Sequence, residues 1–152
     1  MVTLNLYIAS VLGIVIILLV RLILRSRERL VEEPDKILFI PRAYTVEELA
    51  EYDGIRKPYA FVGVKGIIYN VALEWYGPGS PYNDFAGRDS SRALGKFKVD
   101  RTEANTDWTR LLPKHMKSLN EWEEKFRAKY PVVGWIYDPN GDFVKRSKNF
   151  EP

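Results

Sequence analysis

Residues 4–24 (LNLYIASVLGIVIILLVRLIL) form an apolar run broken by strongly polar residues only at Asn5, Ser10 and Arg21. About 20 residues of helix cross the hydrocarbon core of a bilayer, so this run is long enough to span one. Residues 1–20 contain no Asp, Glu, Lys or Arg. A helix that is apolar around its whole circumference is hard to bury in a single small domain, which weighs against a core helix. The basic residues Arg21, Arg25, Arg27 and Arg29 come after the apolar run rather than before it, and no small-residue cleavage site follows. That order predicts an uncleaved transmembrane anchor over residues 1–24 instead of a signal peptide. Basic residues flank the cytoplasmic side of membrane helices, so the rest of the chain is expected to face the cytoplasm.

The whole chain has 152 residues, which leaves room for one domain beyond the anchor. Its formal charge is +3, and the excess sits in the arginines of the first 30 residues. The globular part is therefore electrically balanced. Such a distribution suits anionic lipid headgroups and provides no nucleic-acid footprint. The absence of cysteine excludes disulfides, thiolate metal sites and cysteine nucleophiles. His115 is the single histidine and lies in a polar stretch read as solvated. A catalytic triad would lack its usual base, a zinc site its usual ligands, and a haem could not be held by two histidines of this chain. Neither a dinucleotide fingerprint nor a P-loop occurs. A binding protein, not an enzyme, is the expectation.

Local signals then divide the chain into an anchor (1–24), a juxtamembrane linker (25–40), a domain (41–145) and a C-terminal tail (146–152). Thr45-Val-Glu-Glu48 is a capping box that predicts a helix over 46–52, with Gly54 able to end it in the left-handed conformation. The aromatic and β-branched runs 59–64 and 66–71 predict a hairpin turning at Lys65-Gly66. Ser80-Pro81 starts a short helix over 81–86 that Gly87 stops, and Asp89 is the predicted N-cap of another. Ser118-Leu-Asn-Glu121 reads as a second capping box, followed by Leu119, Trp122 and Phe126 at helical spacing up to Tyr130, where Pro131 forbids continuation. Residues 132–137 read as a strand, 139–142 as a turn, and Phe143-Val144 as a returning strand. Short helices between strands make the fold class α+β.

The segment Trp75-Tyr-Gly-Pro-Gly-Ser-Pro-Tyr82, continued by Phe85-Ala-Gly-Arg-Asp-Ser-Ser-Arg-Ala-Leu94, combines aromatics with chain-breaking residues. By composition alone it is a turn-rich loop whose aromatics complete the core. In its spacing it resembles the signature of the membrane-associated progesterone receptor family, haem-binding relatives of cytochrome b5. That signature runs close to YGPxGPYxxFAGRDASRxLA, and here Ser80, Ser90 and Gly95 replace the usual Gly, Ala and Ala. The likeness extends upstream through Tyr44–Leu49 and Val64–Val71, and downstream through Glu121-Trp122 to Val133-Gly134. Within the family, the chain resembles in type the fungal damage-response haem proteins.

The resemblance implies a cytochrome b5-like domain whose cofactor is haem b, with Tyr82 as the axial ligand of the haem iron. A tyrosine phenolate is a hard anionic donor suited to ferric iron. It further implies that Tyr76, Lys129 and Tyr130 support the haem through hydrogen bonds and propionate contact, while Asp89 fixes the loop as structural support. Arg88 and Arg92 are read as surface residues. The implied function is a membrane-anchored protein of the endoplasmic reticulum, its domain cytoplasmic, that associates with cytochrome P-450 monooxygenases and supports sterol biosynthesis. Membrane lipid, a sterol and a haem-mediated homodimer are further implied partners. The rival readings are a steroid-binding module without a haem role and an electron carrier in the manner of cytochrome b5.

Overall fold

The hairpin expected from the β-branched runs lies inside a five-stranded sheet. The computed structural model describes residues 13–22 and 38–147. The chain divides into two compact units, Met1–Leu38 and Phe39–Pro152. Residues 13–22 are helical (α1), and the large apolar side chains from Ile14 to Leu22 are exposed. Among the described residues, no helix is long and apolar enough to cross a membrane. Apart from 13–22, the expected anchor lies outside the described residues, as does the linker before 38 and the tail beyond 147.

In the second unit, strands β1 (Arg42–Tyr44), β2 (Ala60–Val64), β3 (Ile67–Val71), β4 (Arg88–Asp89) and β5 (Val132–Ile136) are ordered β1-β5-β3-β2-β4. The β2–β3 and β3–β5 pairs are antiparallel, whereas β1 on β5 and β4 on β2 are parallel. Lys65 and Gly66 turn the hairpin with φ of 50° and 78°. Two successive positive φ angles match the right-handed twist of the flanking strands, which is why a glycine serves there. All five residues of β2 are buried, and its side chains alternate between two cores. On one face Phe61 and Ile68 meet Tyr44, Leu49, Tyr52 and Val133. Toward the other face Val62, Val64, Tyr69 and Val71 meet Leu94, Leu119 and Phe126.

Helix α2 (Val46–Ala50) starts as its capping box predicts. The Glu48 amide donates to the Thr45 hydroxyl at 3.3 Å, and the Thr45 amide donates to the Glu48 carboxylate at 2.9 Å. It ends earlier than expected, capped at Glu51, and Gly54 takes its positive φ three residues later. Helix α3 (Leu73–Tyr76) and strands β1 and β4 were not foreseen. The expected helix 81–86 is one 3-10 turn, Asn83–Phe85. Helix α4 (Ser91–Gly95) has Ser90 rather than Asp89 in the cap position, yet Asp89 still supplies the cap, since its carboxylate accepts the Ser91 amide at 3.0 Å.

The larger departure is α5 (Pro113–Lys129), which begins five residues before the second capping box. Proline at the first helical position starts it, because the missing N–H is not needed there. Ser118 is then interior, and its hydroxyl donates to the Lys114 carbonyl at 3.2 Å instead of capping. Residues 142–147 form helix α6 (Asp142–Ser147), not a returning strand, and it runs into the segment read as tail. The Asp138 carboxylate accepts the Asp142 and Phe143 amides, which favours a helical start after the turn.

Two buried polar clusters tie the elements together. Asp89 accepts the Ser91 amide and, at 3.2 Å, the Gly66 amide, so one carboxylate joins the hairpin turn to α4. Its own amide donates to the Asn105 side chain at 2.8 Å. The second cluster corrects the reading of Arg92, which is 1% exposed. Its Nε donates to Glu103 at 2.9 Å and its Nη1 to the Asp107 carbonyl at 3.0 Å, while Lys96 donates to the other Glu103 oxygen at 3.0 Å. Burial opposes ionisation of Glu103, but the Lys96 and Arg92 bonds prevail and hold its carboxyl below the usual range.

Truncating one member of a buried ion cluster leaves the others without compensation, at about 3–5 kcal/mol. Glu103→Ala is expected to lower the unfolding free energy in urea by about that amount, and a loss within the range of exposed pairs would contradict the cluster's role. Asp89 makes a second prediction. Burial pushes its pKa up to about 6 against the Ser91 and Gly66 hydrogen bonds. The folded state therefore holds this proton more tightly than the unfolded state. The stabilisation linked to that proton is complete below the unfolded pKa and is lost as pH rises through the folded one. The stability of the wild type relative to Asp89→Asn should increase on acidification from about pH 7 to about pH 4. A flat or opposite trend in paired denaturant titrations would contradict the assignment.

Candidate functional site

The glycine-proline loop following α3 is fastened by its own polar groups. The Ser80 hydroxyl donates to the Glu74 carbonyl at 2.9 Å, and the Tyr82 amide donates to the Trp75 carbonyl at 3.2 Å. The Asn83 side chain donates to the Tyr76 carbonyl at 2.9 Å. Gly77 donates its amide to Leu73 at 2.8 Å, and a side chain at Gly77 would collide with that same carbonyl. These bonds fold the loop back so that the rings of Tyr76 and Tyr82 lie 5.8 Å apart.

Both tyrosines line a cleft of about 340 Å³, within the usual range for small-molecule pockets. Trp75 and Phe85 line it from the same loop region, Ala93 and Leu94 from α4, Phe97, Lys98 and Val99 from the segment after α4, and Trp122 and Lys129 from α5. Tyr82 is 38% exposed, and its ring is parallel to that of Phe85 at 6.0 Å. Tyr76 lies deeper, 6% exposed, and burial drives its phenol far above the ordinary range, with Tyr130 and Tyr82 adding to the effect. Its phenol thus stays protonated at neutral pH and can only donate or accept hydrogen bonds there. The Tyr130 ring packs edge-on against Tyr76 at 6.0 Å.

Of the residues singled out in the sequence, Tyr76, Tyr82 and Lys129 meet at this cleft. Tyr130 stands behind Tyr76 and outside the lining, with the Lys129 amine 5.2 Å from its ring centre. Asp89 lies within the body of the domain, on β4. Three wall residues, Phe97, Lys98 and Val99, escaped the sequence reading, and Trp122 entered it as a helix residue without a place in the site. Trp122 carried a usable signal, since it sits on one helical stripe with Leu119, Phe126 and Lys129. Phe97, Lys98 and Val99 belong to an irregular segment with no periodicity to exploit. Phe97 is 69% exposed and adopts a φ of 53°. That conformation costs a non-glycine residue about 1–3 kcal/mol.

The 3-10 turn Asn83–Phe85 that stands in place of the expected helix 81–86 is too short for a macrodipole, and Tyr82 itself occupies its cap position. His115 is half-buried rather than solvated, with Nδ1 3.2 Å from the Gly95 carbonyl, and is not part of the cleft lining. Among the described residues, no group of three or more His, Asp or Glu could hold a bare metal ion. The chemistry on offer is instead one accessible phenol on a fixed loop, flat aromatic walls and two amines. Those features fit a planar, largely apolar cofactor that carries a hard metal and anionic substituents. A phenolate can ligate ferric haem iron, and ammonium groups can pair with carboxylates.

No family model matches the chain. Over 97 residues it is 42% identical to "Probable steroid-binding protein 3" of Arabidopsis thaliana, covering 61% of this chain and 96% of that protein. Against the human "Membrane-associated progesterone receptor component 2" the identity is 38% over 103 residues, covering 64% of this chain and 46% of the relative, so the match spans about half the length of that protein. The "Cytochrome P-450 regulator dap1" of Schizosaccharomyces pombe is 37% identical over 107 residues, 64% of each chain. Among solved structures, an Arabidopsis thaliana protein described as having a cytochrome b5 like fold superposes with a TM-score of 0.59 at 38% identity, covering 63% of this chain and 91% of that one. With this α+β fold and near-complete coverage of a relative at that identity, the chain belongs to the membrane-associated progesterone receptor family.

Proposed function

We propose that this chain is a membrane-anchored haem-binding protein that associates with cytochrome P-450 monooxygenases and supports sterol biosynthesis. The observation that carries the reading is the Tyr82 phenol, accessible at the cleft and backed by the parallel Phe85 ring. When bound, haem b would supply a ferric iron that a tyrosine phenolate can ligate. The chain's own residues do the rest. Tyr82 would hold the iron, the aromatic walls would shield the cofactor from water, Lys129 would pair with a propionate, and Tyr130 would buttress Tyr76, itself a protonated hydrogen-bonding group. In this reading the protein binds and delivers or presents its cofactor and catalyses no reaction itself.

The support for a monooxygenase partner is the name of the Schizosaccharomyces pombe relative, a regulator of cytochrome P-450. Support for the anchor comes from the apolar run 4–24, whose helical residues 13–22 leave their large side chains exposed. The arginines that follow the run favour a cytoplasmic domain, and the endoplasmic reticulum is carried over from the family resemblance alone. A haem-mediated homodimer is carried over from the family resemblance.

A steroid-binding module without haem is the second reading, favoured by the name of the Arabidopsis thaliana relative and by the apolar walls of the cleft. Electron transfer in the manner of cytochrome b5 is less well supported, since a single anionic ligand lowers the reduction potential and this chain has no histidine pair.

The test is an absorbance titration of the full chain in detergent with ferric haem. The wild type is expected to show a phenolate-to-iron charge-transfer band. Tyr82→Phe should lose that band and weaken haem binding by about tenfold or more, or about 1.4 kcal/mol. Lys129→Ala should retain the band and weaken binding only about two- to fivefold, as for a partly solvated ion pair. An unchanged spectrum and affinity in Tyr82→Phe would refute the ligand assignment. Saturable sterol binding without any haem binding would favour the second reading.

A further inference from the structure

The rim of the cleft has a composition that the cofactor alone does not require. Trp75, Phe97 and Val99 are all exposed there. Phe97 projects from a backbone held at a φ of 53°, where a glycine would carry no strain. The charged side chains of the lining are Lys98 and Lys129, and among the described residues no carboxylate lines the cleft. Lys125 lies beside it, its amine 4.6 Å from the centre of the Trp122 ring. Exposed aromatics interleaved with amines are the side chains that settle at the boundary between lipid tails and headgroups. Each lysine near an anionic surface adds attraction that a neutral surface does not provide.

We infer that the cleft rim formed by Trp75, Phe97 and Val99 docks onto an anionic bilayer surface, with Lys98 and Lys125 on the headgroups, so that the mouth of the site opens toward the lipid. The inference rests on the membrane attachment proposed above and not on the identity of the cofactor. A tethered domain meets the bilayer at high effective concentration, so a small contact of few side chains suffices. An apolar ligand dissolved in the membrane would then reach the cleft without crossing water.

The absence of cysteine allows a clean test on the full chain. Val99→Cys and, at the β1–β5 side of the sheet, Tyr137→Cys are each labelled with the same environment-sensitive fluorophore. The proteins are reconstituted one chain per nanodisc, in phosphatidylcholine with or without phosphatidylserine, and with lipid bearing a nitroxide near the headgroup. The expected result is quenching at position 99 several-fold above that at position 137 in the anionic discs. It should fall when phosphatidylserine is omitted or when Lys98→Gln and Lys125→Gln are combined. Equal quenching at the two positions overturns the inference, as does quenching indifferent to both anionic lipid and the lysines. A chain that does not enter the discs overturns it too. A blue shift appearing only in discs with two chains, without lipid quenching, would assign the rim to a second copy instead. Haem absorbance read from the same discs reports on the proposed cofactor separately, so the two readings can fail independently.

Discussion

The site depends on the short span of backbone from Leu73 to Asn83. Within it, the Ser80 hydroxyl, the Asn83 amide group and the Tyr82 amide all bond back to carbonyls of α3. That fastening holds two phenols side by side at different depths, Tyr82 accessible and Tyr76 buried. Burial then separates their chemistry. The deep phenol stays protonated as a hydrogen-bonding group, while the accessible one is free to be claimed by a metal. Under the proposed function, two identical side chains take two roles from position alone.

The remainder of the domain serves this arrangement. The buried Asp89 carboxylate couples the hairpin turn to the start of α4, and the Arg92–Glu103–Lys96 cluster holds α4 against the segment that follows the cleft wall. From α5 come Trp122 and Lys129 in the cleft lining and Phe126, packed edge-on against Tyr76. The polar clusters cost desolvation, and a purely apolar core of the same volume could be as stable. What they tie together is the hairpin turn, α4 and the segment around Glu103.

Local chemistry made part of this legible. The β-branched runs on either side of Lys65-Gly66 specify a hairpin, and the Thr45 capping box specifies the start of α2, because each signal is complete within a few residues. The segment from Tyr76 to Leu94 pointed to a candidate site only through its likeness to a family signature, and the structure brings Tyr76 and Tyr82 together at one cleft. Features that depend on distant partners were not visible. Arg92 resembles a surface arginine until Glu103, eleven residues away, is folded against it. Strand β4 has only two residues and exists because β2 offers it an edge. The Ser118 capping box was misleading because the same residue types occur inside helices, and Pro113 was the truer start. Phe97 and Lys98 gave no signal in one dimension.

Resonance Raman spectroscopy of the ferric haem-loaded full chain tests the central claim most directly. Excitation within the charge-transfer band should enhance tyrosinate ring modes together with the porphyrin marker lines of a five-coordinate ferric centre. A spectrum with porphyrin modes alone and the markers of a six-coordinate low-spin centre would contradict ligation by Tyr82.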